Sequence, residues 1–135
     1  MELSAGQTFG TVTILFTDLV GSTELATRVG PTPADRVRQE HFALLRGVLA
    51  KHGGTEVKTL GDGLMVTFPG AAAGVGGAIA IQQALFRRNG SAEDQLAIRM
   101  GLALGDATRE DGDYFGPPVV EAARLCTAAR AARSS

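Results

Sequence analysis

The chain has 135 residues, about one domain at roughly 150 residues per domain. Apolar residues make up 44% and charged residues 20%, which is globular usage and excludes a polar disordered chain. A net charge of −1 without a basic block argues against broad nucleic-acid binding, and no apolar run reaches the roughly 20 residues that span a bilayer.

Residues 1–10 are small and polar and read as a flexible lead-in, with 11–135 as the domain. Met1-Glu2-Leu3-Ser4 lacks the basic and apolar regions of a secretory signal, so a cytoplasmic location is expected. Thr11 to Thr17 is β-branched and aromatic, with Val12, Ile14 and Phe16 alternating, and predicts a strand that stops at Asp18. Gly21-Ser22-Thr23 opens a short helix towards Arg28, which Gly30-Pro31 breaks. A longer helix follows, with Thr32 as N-cap, Pro33 as first residue and Asp35 closing a capping box. Its stripe of Val37, His41, Leu44, Leu45, Val48 and Leu49 ends at Gly53-Gly54.

Two short strands, Thr55 to Leu60 and Leu64 to Phe68, flank Gly61-Asp62-Gly63, which has the chemistry of a hairpin turn. Ala71 to Arg88 predicts an Ala-rich helix offering Ile79, Ile81, Leu85 and Phe86 for packing. Leu96 to Leu104 alternates as a strand, and Glu110-Asp111-Gly112 turns the chain back through Asp113-Tyr114. Pro117 or Pro118 opens a last helix, Val119 to Ala132. The order β-α-α-β-β-α-β-β-α contains a ferredoxin-like βαββαβ core of the α+β class. A lone Cys126 with scattered His41 and His52 makes neither an internal disulfide nor a zinc set; His41 and Cys126 read as packed side chains.

Two aspartates stand out by position. Asp18 ends a strand, and Asp62 tips a hairpin. If the hairpin pairs beside the first strand, both carboxylates reach one sheet edge next to the Gly21-Ser22-Thr23 helix start. Carboxylate oxygens suit Mg²⁺ carrying phosphate, and helix N-terminal N–H groups suit the phosphate itself. Spacing alone equally fits an ordinary helix cap and an ordinary turn residue.

Three strings carry a resemblance: Phe16-Thr-Asp-Leu-Val-Gly-Ser-Thr23, Glu56-Val-Lys-Thr-Leu-Gly-Asp-Gly63 and Asp113-Tyr-Phe-Gly-Pro-Pro-Val-Val-Glu-Ala-Ala-Arg-Leu125. Together they resemble class III adenylate/guanylate cyclase catalytic domains, most closely the actinobacterial type. The resemblance implies that a ribose 3′-hydroxyl attacks the α-phosphate of a nucleoside triphosphate and releases pyrophosphate. Two divalent metals per site, Mg²⁺ or Mn²⁺, assist, and the sites lie at the interface of a head-to-tail homodimer. It also implies roles residue by residue. Asp18 and Asp62 match the metal-binding aspartates, and Leu19 and Gly21-Ser22-Thr23 the main-chain contacts to metal and triphosphate. Lys58 and Asp113 match the pair that recognises adenine, which makes ATP the expected substrate. Arg124 matches the arginine that stabilises the transferring phosphoryl group. Asp18 and Asp62 are then expected from one subunit, and Lys58, Asp113 and Arg124 from the other.

Two features depart from the family pattern. Val120 stands where the pattern has an asparagine, removing a polar contact to ribose. Family domains also continue past the last helix with a strand, a helix and a hairpin that supplies a lysine to the triphosphate. On that pattern the chain is expected to be incomplete at its C-terminus, with an open sheet edge. A non-catalytic cyclase-homology module that binds nucleotide or dimerises is the rival expectation. A diguanylate-cyclase relative fits less well, because no Gly-Gly-Asp/Glu-Glu-Phe turn occurs.

Overall fold

The computed structural model describes residues 5–129. The element order is β1 (Gln7–Val20), α1 (Ser22–Val29), α2 (Pro31–Lys51), β2 (Thr55–Leu60), β3 (Gly63–Phe68), α3 (Ala71–Asn89), β4 (Ala97–Glu110), β5 (Asp113–Phe115) and α4 (Pro117–Ala128). The strands form one antiparallel sheet in the order β2-β3-β1-β4-β5. Its first four strands have the ferredoxin-like order the sequence pattern implies.

β1 and β4 pair along their whole length, from Gln7↔Glu110 to Val20↔Ala97. This corrects three boundaries, the first being the stop expected at Asp18, which lies inside the ladder opposite Arg99 because β1 stays paired with β4 as far as Val20. β1 starts at Gln7 instead of Thr11, so 7–10 are ladder and not lead-in, and β4 runs six residues past Leu104. Neither extension buries an alternating face, which is the signal a boundary is read from.

The capping box at Thr32 also fails. α1 ends at Gly30 and α2 begins at once with Pro31, whose ring needs no N–H donor there. Asp35 instead accepts from Gln39 Nε2 at 3.0 Å. In α3, Ile81 and Leu85 are buried but Ile79 and Phe86 face solvent. α4 ends at Ala128, and the remainder of the helix expected to Ala132 lies outside the described residues.

One face of the sheet carries the main core. Leu15, Leu64, Val66 and Ile98 from the strands meet Phe42, Leu45 and Leu49 of α2 and Ile81 and Leu85 of α3. Side chains alternate along β1, so Ile14 and Phe16 project to the other face, against Met65, Ala103, and Ala122 and Cys126 of α4. Gly101 makes this second contact possible. A Cβ there would lie 2.2 Å from the Ala122 carbonyl oxygen and 2.3 Å from the Cys126 nitrogen, so only glycine lets α4 settle on β4. The sheet curls over this face strongly enough that its outer strands touch: Lys58 Nζ of β2 donates to Asp113 Oδ2 at the start of β5, 2.8 Å away.

Candidate active site

The site is built where β1, the β2-β3 turn and α1 converge. Thr13↔Phe68 to Phe16↔Met65 sets the β1-β3 register, which carries Asp18 to the start of β3, beside the turn that holds Asp62. The two backbones close on each other: Leu19 N–H donates to the Asp62 carbonyl at 3.3 Å, and Leu64 N–H to Thr17 Oγ1 at 3.0 Å. Gly63 is obligatory at this crossing, since a Cβ would fall 1.9 Å from the Thr17 carbonyl oxygen. Gly21 (φ 81°) then turns the chain into α1, and Ser22 becomes the helix's first residue. No side chain caps α1, so its first N–H groups are open to an acceptor.

The carboxylates themselves have separate partners. Asp18 projects to the α4 face, where Arg99 on the facing β4 position donates from Nη2 at 2.9 Å. It opens on a recess lined by Phe16, Thr17, Leu60, Ala123, Cys126 and Thr127. Arg99 also reaches the Thr127 carbonyl of α4, at 3.4 Å. Asp62 turns to the helices: Ser22 Oγ donates to Oδ2, and Arg38 Nε of α2 to Oδ1 at 2.8 Å. Sequence reasoning missed both arginines. Arg99 leaves a trace, as a charge inside an otherwise apolar strand; Arg38 is an ordinary exposed-side residue in the helical pattern and leaves none.

Lys58 and Asp113 form an ion pair at 2.8 Å, although three strands separate β2 from β5. Tyr114 N–H donates to the second oxygen of Asp113 at 2.8 Å and fixes its orientation. The Lys58 ammonium, helped by that N–H, holds the Asp113 carboxyl below the usual carboxylate range. Asp106, on β4, accepts instead from Thr11 Oγ1 at 2.7 Å. Arg124 lies exposed on α4 and makes no hydrogen bond or ion pair among the described residues. The structure does not bring it to Asp18 or Asp62 of its own chain.

His41 and Cys126 are packed, as expected. His41 is completely buried with neither ring nitrogen bonded, and burial lowers its pKa to about 4, against the pull of Asp62. Burial, with the Asp18 charge beside it, pushes the Cys126 thiol up. The donors suit a hard dication. Among the described residues no cluster of three or more His, Cys, Asp or Glu side chains could hold a metal. Carboxylate oxygens from Asp18 and Asp62 would leave the other positions of a dication to main-chain carbonyls, water and phosphate. That division fits Mg²⁺ or Mn²⁺ delivered with a nucleotide and does not fit a soft metal.

Comparison with known proteins agrees with this fold. The model of the adenylate and guanylate cyclase catalytic domain matches residues 5–133. The chain belongs to that family. An adenylate cyclase from Mycosarcoma maydis is 36% identical over 89% of the chain, and a putative adenylate cyclase 3 from Rhizobium meliloti 35% identical over 83%. The chain spans only 6% and 19% of the lengths of these two relatives. Among solved structures, an adenylate/guanylate cyclase/hydrolase from Silicibacter pomeroyi superposes with a TM-score of 0.82 at 32% identity, over 93% of this chain and 74% of that one. The adenylyl cyclase CyaB from P. aeruginosa gives 0.77 at 28% identity, over 93% and 76%. The family resemblance carried by the three strings and the α+β fold read from the element order therefore hold. No helix among the described residues is long and apolar enough to cross a membrane.

Proposed function

We propose that this cyclase domain is an adenylate cyclase, converting ATP to 3′,5′-cyclic AMP and pyrophosphate at sites shared between two copies of the chain. The observation that carries the choice of ATP is the Lys58–Asp113 ion pair. Its ammonium donates to adenine N1 and its carboxylate accepts from the N6 amine. Guanine presents a donor at N1 and an acceptor at O6, the reverse pattern.

In the reaction the ribose 3′-oxygen bonds to the α-phosphorus while the bond to the β-bridging oxygen breaks. Pyrophosphate leaves with the electron pair, and the hydroxyl proton passes to water. Two Mg²⁺ or Mn²⁺ ions held by Asp18, Asp62 and the Leu19 carbonyl would supply Lewis-acid polarisation of the phosphates. The open N–H groups of Gly21-Ser22-Thr23 hold the triphosphate. Arg124 from the second copy stabilises the charge on the α-phosphoryl oxygens. Val120 and Leu125, exposed on the same helix as that arginine, offer apolar surface suited to a second copy.

Complementation tests the shared site. Asp18→Ala and Arg124→Ala chains are each expected to be inactive with ATP and Mn²⁺. Mixed, they form a heterodimer in which one site carries both substitutions and the other neither, so up to about half the wild-type activity returns. Silence after proven subunit exchange, with an active wild type or Val120→Asn parent, refutes the shared site. A second reading, a nucleotide-binding or dimerising module without turnover, is favoured by Val120, which cannot hydrogen-bond ribose.

A further inference from the structure

Asp62 has both carboxylate oxygens engaged within the chain, Oδ2 by the Ser22 hydroxyl and Oδ1 by Arg38 Nε at 2.8 Å. A carboxylate offers about four lone-pair sites, so two remain for a ligand. What opposes a dication there is charge. An ion about 2.1 Å from Oδ1 lies within roughly 5 Å of the guanidinium, close enough for repulsion to exceed what a partly exposed ion pair returns. Arg38 also has somewhere to go. Asp35, one turn back on α2, already lies 3.5 Å from its Nη1. The Phe42 ring, 5.1 Å from the guanidinium carbon, gives the group a surface to pivot on while staying stacked.

We infer that Arg38 is a displaceable counter-ion, which occupies Asp62 while no cation is bound and transfers to Asp35 when a dication takes its place. The inference rests on the metal reading of Asp62 above. Arg38 then sets how much free metal the site needs, without itself contacting the ion. A residue that merely positioned the Asp62 turn would act in the opposite sense, because its loss would weaken metal binding.

Mn²⁺ binding to the purified chain without nucleotide, read as loss of the free-ion paramagnetic resonance signal, separates the two. Arg38→Gln keeps the stem over Phe42 and is expected to bind Mn²⁺ about three- to tenfold tighter than wild type. Asp35→Asn is expected to bind about twofold more weakly, and to have no effect in the Arg38→Gln background. Unchanged or weaker binding by Arg38→Gln overturns the counter-ion role; if Asp62→Asn still abolishes binding, the metal reading stands without it. Wild-type binding by Asp62→Asn overturns both. The nitrogen-15 spectrum of the wild-type chain gives a reading that no variant needs. Mg²⁺ should shift the Arg38 Nε–H resonance at the same midpoint as the Ser22 amide. An Arg38 signal that stays fixed while Ser22 moves also overturns the proposal.

Discussion

The two faces of the sheet use the same strands to opposite ends. On one, α2 and α3 cover the strands with large side chains, and Leu15, Leu45, Leu64, Ile81, Leu85 and Ile98 are essentially sealed. On the other, α4 alone lies on β1 and β4 through Gly101, Ala103, Ala122 and Cys126. Asp18, Lys58 and Asp113 all belong to this thinner side, and Leu60, Val120 and Leu125 remain 45%, 56% and 45% exposed around it. Small residues bring a helix to the strand backbone without covering the charged groups beside it. Stability then has to come from the other face, which is where the branched and aromatic side chains are.

The largest effects should follow this division. On the proposed metal role, Asp18→Ala or Asp62→Ala is expected to lower ATP-dependent turnover at least about a thousandfold, or about 4 kcal/mol, because the dication would lose one of two anionic ligands. Thermal melting should move only slightly, since each change removes a partly exposed ion pair. Leu45→Ala on the core face should cost about 2–5 kcal/mol of stability. Equal melting losses for Asp18→Ala and Leu45→Ala would erase the distinction between the faces.

Gly101→Ala attacks the thin face directly. Its methyl group meets the backbone of α4 at Ala122 and Cys126, and backbone cannot swing aside as a side chain can. Detaching the helix is expected to cost about 3 kcal/mol. Cys126, buried against β4, reports on it. Its reaction with a thiol reagent should speed up together with the fall in melting temperature. An unchanged thiol rate would mean that α4 tolerates displacement.

How much of this was legible in the sequence follows the same boundary. Period-two alternation in Val12-Ile14-Phe16 and the helical stripe from Val37 to Leu49 exposed the core face, because large apolar side chains write a periodic signal. The ends of β1 and β4 were missed because Gln7 to Gly10 and Gly105 to Glu110 mostly face solvent. Asp18 and Asp62 became candidates by their expected positions at a strand end and a hairpin tip, and Lys58, Asp113 and Arg124 only through family motifs. The Lys58–Asp113 pair then depends on a sheet curl that no local pattern encodes. Arg38 escaped notice because its ion pair to a distant element leaves no trace in the helical pattern, whereas Arg99 shows as a charge inside an apolar strand without any sign of its partner.

His41 tests the core face from within. Its pKa of about 4, lowered chiefly by burial, lies below that of an unfolded histidine near 6.5. Above pH 6.5 both states are neutral and the residue adds no pH dependence. As pH falls from 6.5 towards 4 the unfolded chain binds the extra proton, and stability drops, by up to about 3 kcal/mol at the lower limit. Replacement by leucine, His41→Leu, removes two buried, unbonded nitrogens as well as the proton site. Denaturant titrations at pH 7.5 and 4.5 should therefore converge in the variant relative to wild type. An undiminished gap would assign the acid sensitivity to other groups.

The smallest expected change sits on the thin face, at Val120, where the resemblance implies an asparagine. Val120 occupies an exposed point of α4, one turn before Arg124, so exchanging it for asparagine removes little buried surface and perturbs the helix weakly. If α4 presents position 120 to the ribose of a nucleotide bound across two copies, the new amide can hold the sugar in the orientation that aims its 3′-oxygen at the α-phosphorus. One such polar contact in the transition state contributes about 1–3 kcal/mol, so Val120→Asn should raise turnover with ATP and Mn²⁺ about tenfold to a hundredfold. The gain should appear in kcat more than in KM, because orientation matters most at the reacting geometry. Arg124→Ala should abolish it, since both residues act from the same helix on the same substrate. A Val120→Asn chain that binds ATP with metal but turns over no faster would place position 120 away from the ribose and favour the non-catalytic module.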